Sequence, residues 1–181
     1  GTALGSLTSL TSLRLAMPYS ELGDDGALAL VVPLGKLTKL TSLHLDVTRN
    51  DIGPEGIDGL AVNLKKLTRL SSLELQLGYI PIDSDGVQAL ARSLTSLRNL
   101  TSLELDLHNC HLDAEKIRNL ASVLVGLPRL TSLTLDLGDN RMGPEGADLL
   151  AKAIGSLSNL TSLNLRVGSN QIEFEGVRSL I

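Results

Sequence analysis

Few side chains in this sequence could do chemistry, and the densest set is a histidine–cysteine group. His108, Cys110 and His111 lie within four residues of one another, and imidazole and thiolate are ligands that zinc prefers. Alternation along an extended segment would turn Cys110 inward and His108 outward, so the three side chains cannot easily converge. We therefore predict a structural role for Cys110, with no metal and no other cofactor.

Two further groups of reactive side chains recur at a fixed interval. A serine returns every 30 residues from Ser12 to Ser162, and an acid returns every 30 residues from Asp25 to Glu175. Catalysis needs one supported constellation, whereas these residues appear in every copy. The acid falls where a helix would begin, a position at which the helix dipole favours negative charge. Since there is also no phosphate-binding loop or nucleophile elbow, we predict that the chain is not an enzyme.

The fixed interval comes from a repeat that covers the whole chain. Its unit reads L-x-x-L-T-S-L-x-L-x-L-x-x-N-x-I-G-x-E-G-x-x-x-L-A-x-x-L-x-x. Five full copies span 7–36, 37–66, 67–96, 97–126 and 127–156; a partial copy spans 157–181, and residues 1–6 match the end of a preceding unit. A period of this length indicates a solenoid of stacked units. We expect a single domain, 1–181, that is part of a longer array, with frayed terminal units or end-to-end association of the exposed layers.

Each unit reads as a strand, a turn and a helix. In the second copy, apolar residues alternate from Leu43 to Val47 and then return at helical spacing from Ile57 to Leu64. Gly53 falls at the helix N-cap and Pro54 at the first helical position, where a missing N–H costs nothing. Pro33 falls late in the first helix, which should therefore end early or kink.

The predicted fold class is an α/β solenoid with a curved, horseshoe-like outline. Six parallel strands should be centred near residues 13, 43, 73, 103, 133 and 163, and five helices should begin near 24, 54, 84, 114 and 144. A helix is wider than the spacing of strands in a sheet, so the stack should curve. The sheet then lines the concave face and the helices form the convex face.

The unit resembles the leucine-rich repeat of the ribonuclease-inhibitor-like class, in a lengthened 30-residue form. The resemblance extends over the whole chain, and it implies an asparagine that points inward and bonds the loop backbone. That slot holds Asn50, Asn140 and Asn170, with Cys110 in the fourth copy and Ser20 and Ile80 in the first and third. Asn50 lies five residues after Leu45, where the family usually has three, so the strand should gain one in–out pair.

Composition excludes several classes of function. The net charge is −4 and no run of basic residues occurs, whereas nucleic-acid binding needs a positive footprint. No apolar stretch approaches the ~20 residues that span a bilayer, and the opening GTALGS lacks the regions of a signal peptide. The single cysteine permits no internal disulfide and fits a reducing, cytoplasmic compartment. The sequons at Asn99 and Asn159 share one repeat slot, which indicates that consensus residues produce them.

The outward strand positions vary between copies and form the candidate binding surface. Acids occupy its centre and arginines its two ends, and the charged members are Arg14, His44, Asp46, Glu74, Glu104, Asp106, Asp136 and Arg166. Folding alone gives no reason to gather these acids, because like charges side by side disfavour a sheet. Two interpretations stay open at this point: recognition of a basic partner, or a solvated inner face. The turn from Tyr79 to Ile82 is the most divergent, and is either a functional projection or a locally repacked turn.

These observations favour a segment that binds another protein, as a scaffold or as a ligand sensor. The alternative is a regulatory module that acts on a small GTPase, as the Ran-directed activators of this repeat class do. That role uses a specific arginine or asparagine on the loops after the strands. Arg49 and Arg141 are loop arginines, but neither matches a motif of that group.

Overall fold

The computed structural model of the chain describes residues 3–181, so Gly1 and Thr2 of the expected preceding unit lie outside it. The strands are β1 (Ser12–Ala16), β2 (Ser42–Asp46), β3 (Ser72–Gln76), β4 (Ser102–Asp106), β5 (Ser132–Asp136) and β6 (Ser162–Arg166). The helices are α1 (Ala3–Ser6), α2 (Gly23–Leu34), α3 (Pro54–Leu64), α4 (Ser84–Thr95), α5 (Ala114–Val125), α6 (Gly143–Gly155) and α7 (Glu173–Leu180). The predicted strands and helix starts are confirmed to within about one residue, the usual uncertainty of helix ends.

The six strands form one parallel sheet in the order β1-β2-β3-β4-β5-β6. Each residue of β1 to β5 pairs with the residue 30 positions later in the next strand, as Leu43 does with Leu73 and Ser72 with Ser102. The helices pack on one another in the same order. Because packed helices lie 8–10 Å apart and paired strands only ~4.8 Å apart, the stack curves with the sheet inside. None of the described helices is long and apolar enough to cross a membrane.

The core is a set of aliphatic layers between sheet and helices. In β2 and β3 the inward leucines Leu43, Leu45, Leu73 and Leu75 are at most 1% exposed. Burial of one such side chain contributes about 1.5–3 kcal/mol, and the repeat places equivalent leucines on top of one another. The core is therefore built mainly from leucine and other aliphatic side chains, and no Phe, Tyr or Trp is buried among residues 3–181.

Hydrogen bonding between repeats continues past the ends of the strands. Val47 N donates to Gln76 O at 3.1 Å, and Arg49 N donates to Gly78 O at 3.1 Å. Val47 is buried, 3% exposed, which confirms the additional in–out pair expected from the lengthened repeat. The sheet is thus wider than its regular strands, and the loops after the strands are held in register with it.

A ladder of hydroxyl groups, which we did not predict, connects the repeats at the positions just before the strands begin. Each hydroxyl donates to the backbone carbonyl 30 residues earlier, at 3.0–3.1 Å. The donors are Thr41, Ser71, Thr101, Thr131 and Thr161. The threonine of the repeated Leu-Thr-Ser-Leu motif, or the serine that replaces it in the third copy, therefore stabilises the stacking of consecutive repeats.

Of the two alternatives expected for Pro33, an early end or a kink of the first helix, the early end is wrong. Helix α2 runs to Leu34 and has the same length as α4 and α5, with Pro33 inside its last turn. Proline removes one backbone donor there, but the chain closes the turn normally because Gly35 N donates to Val31 O at 3.0 Å. The proline ring is buried, so the lost hydrogen bond is offset by apolar packing.

The N-termini of α3, α4 and α5 are capped by aspartate side chains in two ways. Asp83 and Asp113 cap their own helices by accepting from Gly86 N at 2.7 Å and Lys116 N at 3.0 Å. The N-cap of α3 is Gly53, as predicted, and glycine has no side chain to cap with. A residue of the preceding repeat supplies the missing acceptor instead: Asp24 Oδ1 lies 2.8 Å from Gly53 N and 2.7 Å from Gly56 N.

Replacing Asp24 with alanine is expected to destabilise the interface between the first two repeats. The variant loses two charge-assisted bonds to the first turn of α3, and we expect the free energy of unfolding to fall by about 2 kcal/mol. Urea denaturation followed by circular dichroism measures it. Asp25→Ala is the matched control, because Asp25 is an exposed acid in the same helical turn and should cost only about 0.5 kcal/mol. Equal losses in the two variants would contradict capping between repeats.

Candidate functional site

The candidate binding surface is the side of the sheet that faces away from the core, here called the sheet face. Its first column of side chains is Arg14, His44, Glu74, Glu104, Thr134 and Asn164, and its second is Ala16, Asp46, Gln76, Asp106, Asp136 and Arg166. Among residues 3–181 no helix or strand packs on this side. Parallel sheets are normally covered on both faces, so a bare face is the natural place for a partner.

The expected proximity of the acids on this face is confirmed. Glu74 pairs with Glu104 across β3 and β4, and Asp106 pairs with Asp136 across β4 and β5. Directly opposed residues of neighbouring strands hold their side chains within about 5 Å. What the strand register could not show is which of these carboxylates has a cationic neighbour.

Glu74 lies beside several donors. His44 Nδ1 is 2.6 Å from Glu74 Oε2, and Arg14 NH1 is 3.8 Å from the same oxygen. Gln76 Nε2 donates to Glu74 Oε1 at 3.0 Å. His44 is itself buried, 7% exposed, and its Nδ1 forms no hydrogen bond of good geometry despite its closeness to Glu74. Polar nitrogen atoms from β1, β2 and β3 therefore surround the Glu74 carboxylate.

Asp136 is similarly engaged at the other end of the face. Arg166 NH1 lies 3.3 Å from Asp136 Oδ2, and His108 Nδ1 lies 3.9 Å from Asp136 Oδ1. The arginines that the sequence placed at the two ends of the surface thus extend toward the acids nearest to them. Both arginine side chains remain more than half exposed, so these surface pairs contribute little to stability.

The centre of the face, on β4, carries two adjacent acids without a cationic partner, and Asp46 on β2 is a third such acid among residues 3–181. In the described chain neither Glu104 nor Asp106 forms an ion pair within 4 Å. Burial raises the pKa of Asp106, and the nearby carboxylates of Asp136 and Asp46 raise it further, against the opposing effect of His108. A carboxylate in this setting gains from the arrival of a positive group.

The expectation that folding gives no reason to gather these acids is wrong for the second column. Asp46 Oδ1 accepts from Thr48 N at 3.0 Å, Asp106 Oδ1 from His108 N at 2.8 Å and Asp136 Oδ1 from Gly138 N at 3.0 Å. Aspartate favours this local turn, in which its side chain bonds the backbone two residues on. Glu104 of the first column has no such bond, so the structural explanation does not extend to it.

The asparagine slot behaves as the resemblance implied. Asn140 Oδ1 accepts from Cys110 N at 3.0 Å and Leu112 N at 2.9 Å, and its Nδ2 donates to Leu107 O, Leu137 O and Gly138 O. The same pattern occurs at Asn50 and Asn170. Each asparagine bonds its own loop and the loop of the preceding repeat, and so holds the edge of the sheet face in place.

The turn from Tyr79 to Ile82 is repacked around apolar side chains. Ile80 occupies the asparagine slot and is fully buried, and Ile82 is 2% exposed. Tyr79 is the exception, because its ring remains 37% exposed on the outside of the turn. The interpretation as a locally repacked turn therefore holds for Ile80 and Ile82, whereas Tyr79 projects from the turn.

Cys110 points inward and the two histidines lie elsewhere. The thiol is fully buried and donates to Leu77 O at 3.2 Å, whereas His108 Nε2 lies 3.3 Å from the Tyr79 hydroxyl on the surface. Among residues 3–181 no three acidic, histidine or cysteine side chains are grouped as metal ligands. Burial raises the pKa of the Cys110 thiol to about 12, so Cys110 fills a structural slot.

The native thiol is expected to resist Ellman's reagent, because the thiolate is the reactive form and its formation is disfavoured. A raised folded-state pKa contributes stability below the ordinary thiol pKa of about 9, and this contribution is lost as the pH rises toward about 12. Labelling at pH 8, with and without urea, tests both access and ionisation. Ser122→Cys in a Cys110→Ser background is the exposed control on α5. Native Cys110 reacting as fast as this control would contradict the assignment.

The two sequon asparagines have structural roles. Asn99 Nδ2 donates to Thr68 O and Asn159 Nδ2 donates to Pro128 O, both at 2.9 Å. Each bond joins one repeat to the preceding one at the same position in the unit. The consensus interpretation of these sequons therefore has a physical basis.

A cluster beside the sheet face escaped the sequence analysis; it comprises Tyr19, Arg49, Tyr79 and His108 and is here called the rim cluster. The guanidinium carbon of Arg49 lies 3.6 Å from the Tyr79 ring centre and 5.3 Å from that of Tyr19. The Tyr79 and His108 rings meet edge to face, with centres 5.1 Å apart. Tyr19, Arg49 and Tyr79 all adopt left-handed backbone conformations, with φ of 56°, 53° and 62°. Their 30-residue spacing was a visible signal, but the direction of the side chains was not.

One comparison with known proteins agrees with the repeat. A family model described as Leucine Rich repeat matches residues 36–61 and 129–151. No curated protein sequence matches the chain. Among solved structures, the chain is similar to internalin C2 from Listeria monocytogenes, with 21% sequence identity, coverage of 99% of this chain and 81% of that one, and a TM-score of 0.44.

Proposed function

We propose that this leucine-rich-repeat protein is a protein-interaction scaffold that binds a partner polypeptide on its sheet face. The observation that carries the proposal is the bare side of the six-stranded parallel sheet, which no other element of the described chain covers. The inter-repeat ladders hold this side rigid, so little conformational entropy is lost when a partner binds. The variable side chains on a repeated backbone supply specificity.

We further infer that the partner presents a basic segment to the centre of the face. Glu104 and Asp106 support this inference, because both lie on β4 without a cationic neighbour in residues 3–181. Complementary charge mainly speeds encounter and selects the partner. The local turn explains the aspartates of the second column, and Glu104 is the residue that argues for a function beyond folding.

We also propose that the repeats belong to the ribonuclease-inhibitor-like class and that the protein is cytoplasmic. Helices of 11–13 residues in α3 to α6 support the ribonuclease-inhibitor-like class, whose outer face is helical. The free, buried thiol of Cys110 supports a reducing, cytoplasmic environment.

Peptide selection followed by two matched double variants tests the binding face. A displayed random peptide library is first selected on the wild-type protein. Glu104→Arg with Thr134→Arg then reverses the charge and obstructs the sheet face. Asp58→Arg with Ser122→Arg makes the same chemical changes at exposed positions of α3 and α5.

The proposal predicts that the selected peptides lose binding to the sheet-face variant and retain it on the helix variant. It also predicts that lysine and arginine are enriched among them and that salt weakens their binding. Peptides that bind both variants equally, or that fail only on the helix variant, would show that the bare sheet is not the binding surface.

A further inference from the structure

The rim cluster concentrates the few aromatic residues of this chain. The sequence holds two tyrosines, one phenylalanine and no tryptophan, and both tyrosines lie in the cluster although 60 positions separate them. Tyr19 is 69% exposed and Tyr79 is 37% exposed. Tyrosine and arginine are the residue types enriched where binding energy is concentrated in protein interfaces.

Arg49 is the member of the cluster with free bonding capacity. It is exposed, and within residues 3–181 its guanidinium forms no ion pair. One acid on the same rim, Asp139, is already engaged, because its Oδ2 lies 3.2 Å from His108 Nε2. A guanidinium stacked on a ring keeps its in-plane N–H groups available, and the stack fixes their direction in advance.

We propose that the rim cluster is the site that anchors a carboxylate side chain of the partner. This inference rests on the proposed function, since it names a second contact of the same bound polypeptide. The Arg49 fork can bind both carboxylate oxygens at once, and the exposed Tyr19 ring provides apolar contact for the adjoining methylene groups.

The charge balance favours a carboxylate over a phosphate group. One guanidinium matches one negative charge, whereas a phosphorylated residue carries about −1.5 to −2 at neutral pH. The surroundings are acidic, because Asp136 and Asp139 both lie beside His108 and the chain has a net charge of −4. A second negative charge on the ligand would be repelled.

The sheet geometry sets the spacing between this anchor and the acidic centre. Arg49 lies three residues beyond Asp46, and Asp46 is two strands away from Asp106 in the same column. Strand spacing and rise then place the two sites on the order of 14 Å apart, which about four residues of extended chain can span. The partner segment should therefore carry an acidic residue about four positions from its basic residues.

Short fluorescein-labelled peptides test this arrangement by fluorescence anisotropy. The first carries paired lysines, a Gly-Ser spacer of about three residues and one glutamate, which places the glutamate about four positions from the nearer lysine. Otherwise identical peptides carry glutamine or phosphoserine in place of the glutamate, and all are made in both chain directions. Each is titrated against the wild-type protein, Arg49→Gln, Arg49→Lys and Glu104→Gln/Asp106→Asn, and thermal melting verifies that each variant is folded.

On the wild-type protein the glutamate peptide should bind about tenfold more tightly than the glutamine peptide. That ratio should fall to about one in Arg49→Gln and decrease in Arg49→Lys, which retains the charge but loses the planar fork. It should persist in Glu104→Gln/Asp106→Asn while overall affinity falls.

Two different results would overturn the two proposals separately. If binding depends on Glu104 and Asp106 but glutamate and glutamine peptides bind equally, the carboxylate anchor is wrong and the proposed function stands. A preference for phosphoserine, or a glutamate preference that survives Arg49→Gln, also rejects the anchor. If neither peptide binds in either direction, the basic-partner proposal is wrong and the anchor with it.

Discussion

Replacing Asn140 with alanine is expected to lower the free energy of unfolding by about 3–5 kcal/mol, a severe loss for a domain of this size. Its side chain makes five hydrogen bonds to the backbone of two consecutive loops. Asn140 is 4% exposed, so water cannot readily replace those bonds. The methyl group of alanine leaves buried N–H and C=O groups without partners.

Asn99→Ala is the control for this prediction. Asn99 also bridges consecutive repeats, by its bond to Thr68 O, but it lies at the exposed surface. Water can replace that bond, and we expect a loss below about 1 kcal/mol. Urea denaturation of both variants gives the comparison. A loss for Asn140→Ala as small as that for Asn99→Ala would mean that the asparagine slot does not hold the loops.

Neutralising the centre of the sheet face is expected to separate binding from folding. Glu104→Gln with Asp106→Asn should reduce the affinity for a lysine-containing peptide about tenfold at low salt. The same double variant should melt at the same temperature as the wild-type protein or slightly higher. Glu74 is left unchanged, because His44 and Arg14 already lie against it.

The sign of the stability effect follows from the raised pKa of Asp106. Since folding favours the protonated form, Asp106 contributes stability below the ordinary aspartate range, and that contribution is lost as the pH rises through the folded pKa. At neutral pH the ionised group opposes folding, and asparagine removes this opposition while its oxygen can still accept from His108 N. Asp136→Asn is the control, because it loses the contact with Arg166. A double variant that is clearly less stable than the wild-type protein would contradict this explanation.

The repeat made the fold predictable because every unit has the same structure and packs only on its two neighbours. One strand and one helix, placed correctly, determine the other copies, and the alternation from Leu43 to Val47 already indicated which face is buried. The interactions between copies were not predictable in the same way. Alignment places Asp24, Asp83 and Asp113 near helix starts, but it does not show that Asp24 caps the helix of the next repeat.

The position of the candidate site was predicted from the sequence, but the reason for its second-column aspartates was not. The two columns of the sheet face follow from strand alternation. The pairing of Glu74 with Glu104 on neighbouring strands follows from the 30-residue register. The bond from each second-column aspartate to the backbone two residues on was a recognisable turn pattern that we did not weigh. The stacking of Arg49 depends on left-handed loop residues, and no periodic pattern gives their side-chain directions.

Chemical-shift mapping identifies directly the surface on which this protein binds a peptide. A peptide selected on the wild-type protein is titrated into ¹⁵N-labelled protein, and the backbone amides that shift are identified. We expect shifts concentrated on β3, β4 and β5, around Glu104, Asp106 and Thr134, with α3 to α6 nearly unchanged. Shifts confined to the helices, with the strand amides unperturbed, would show that the bare side of the sheet is not where this protein binds.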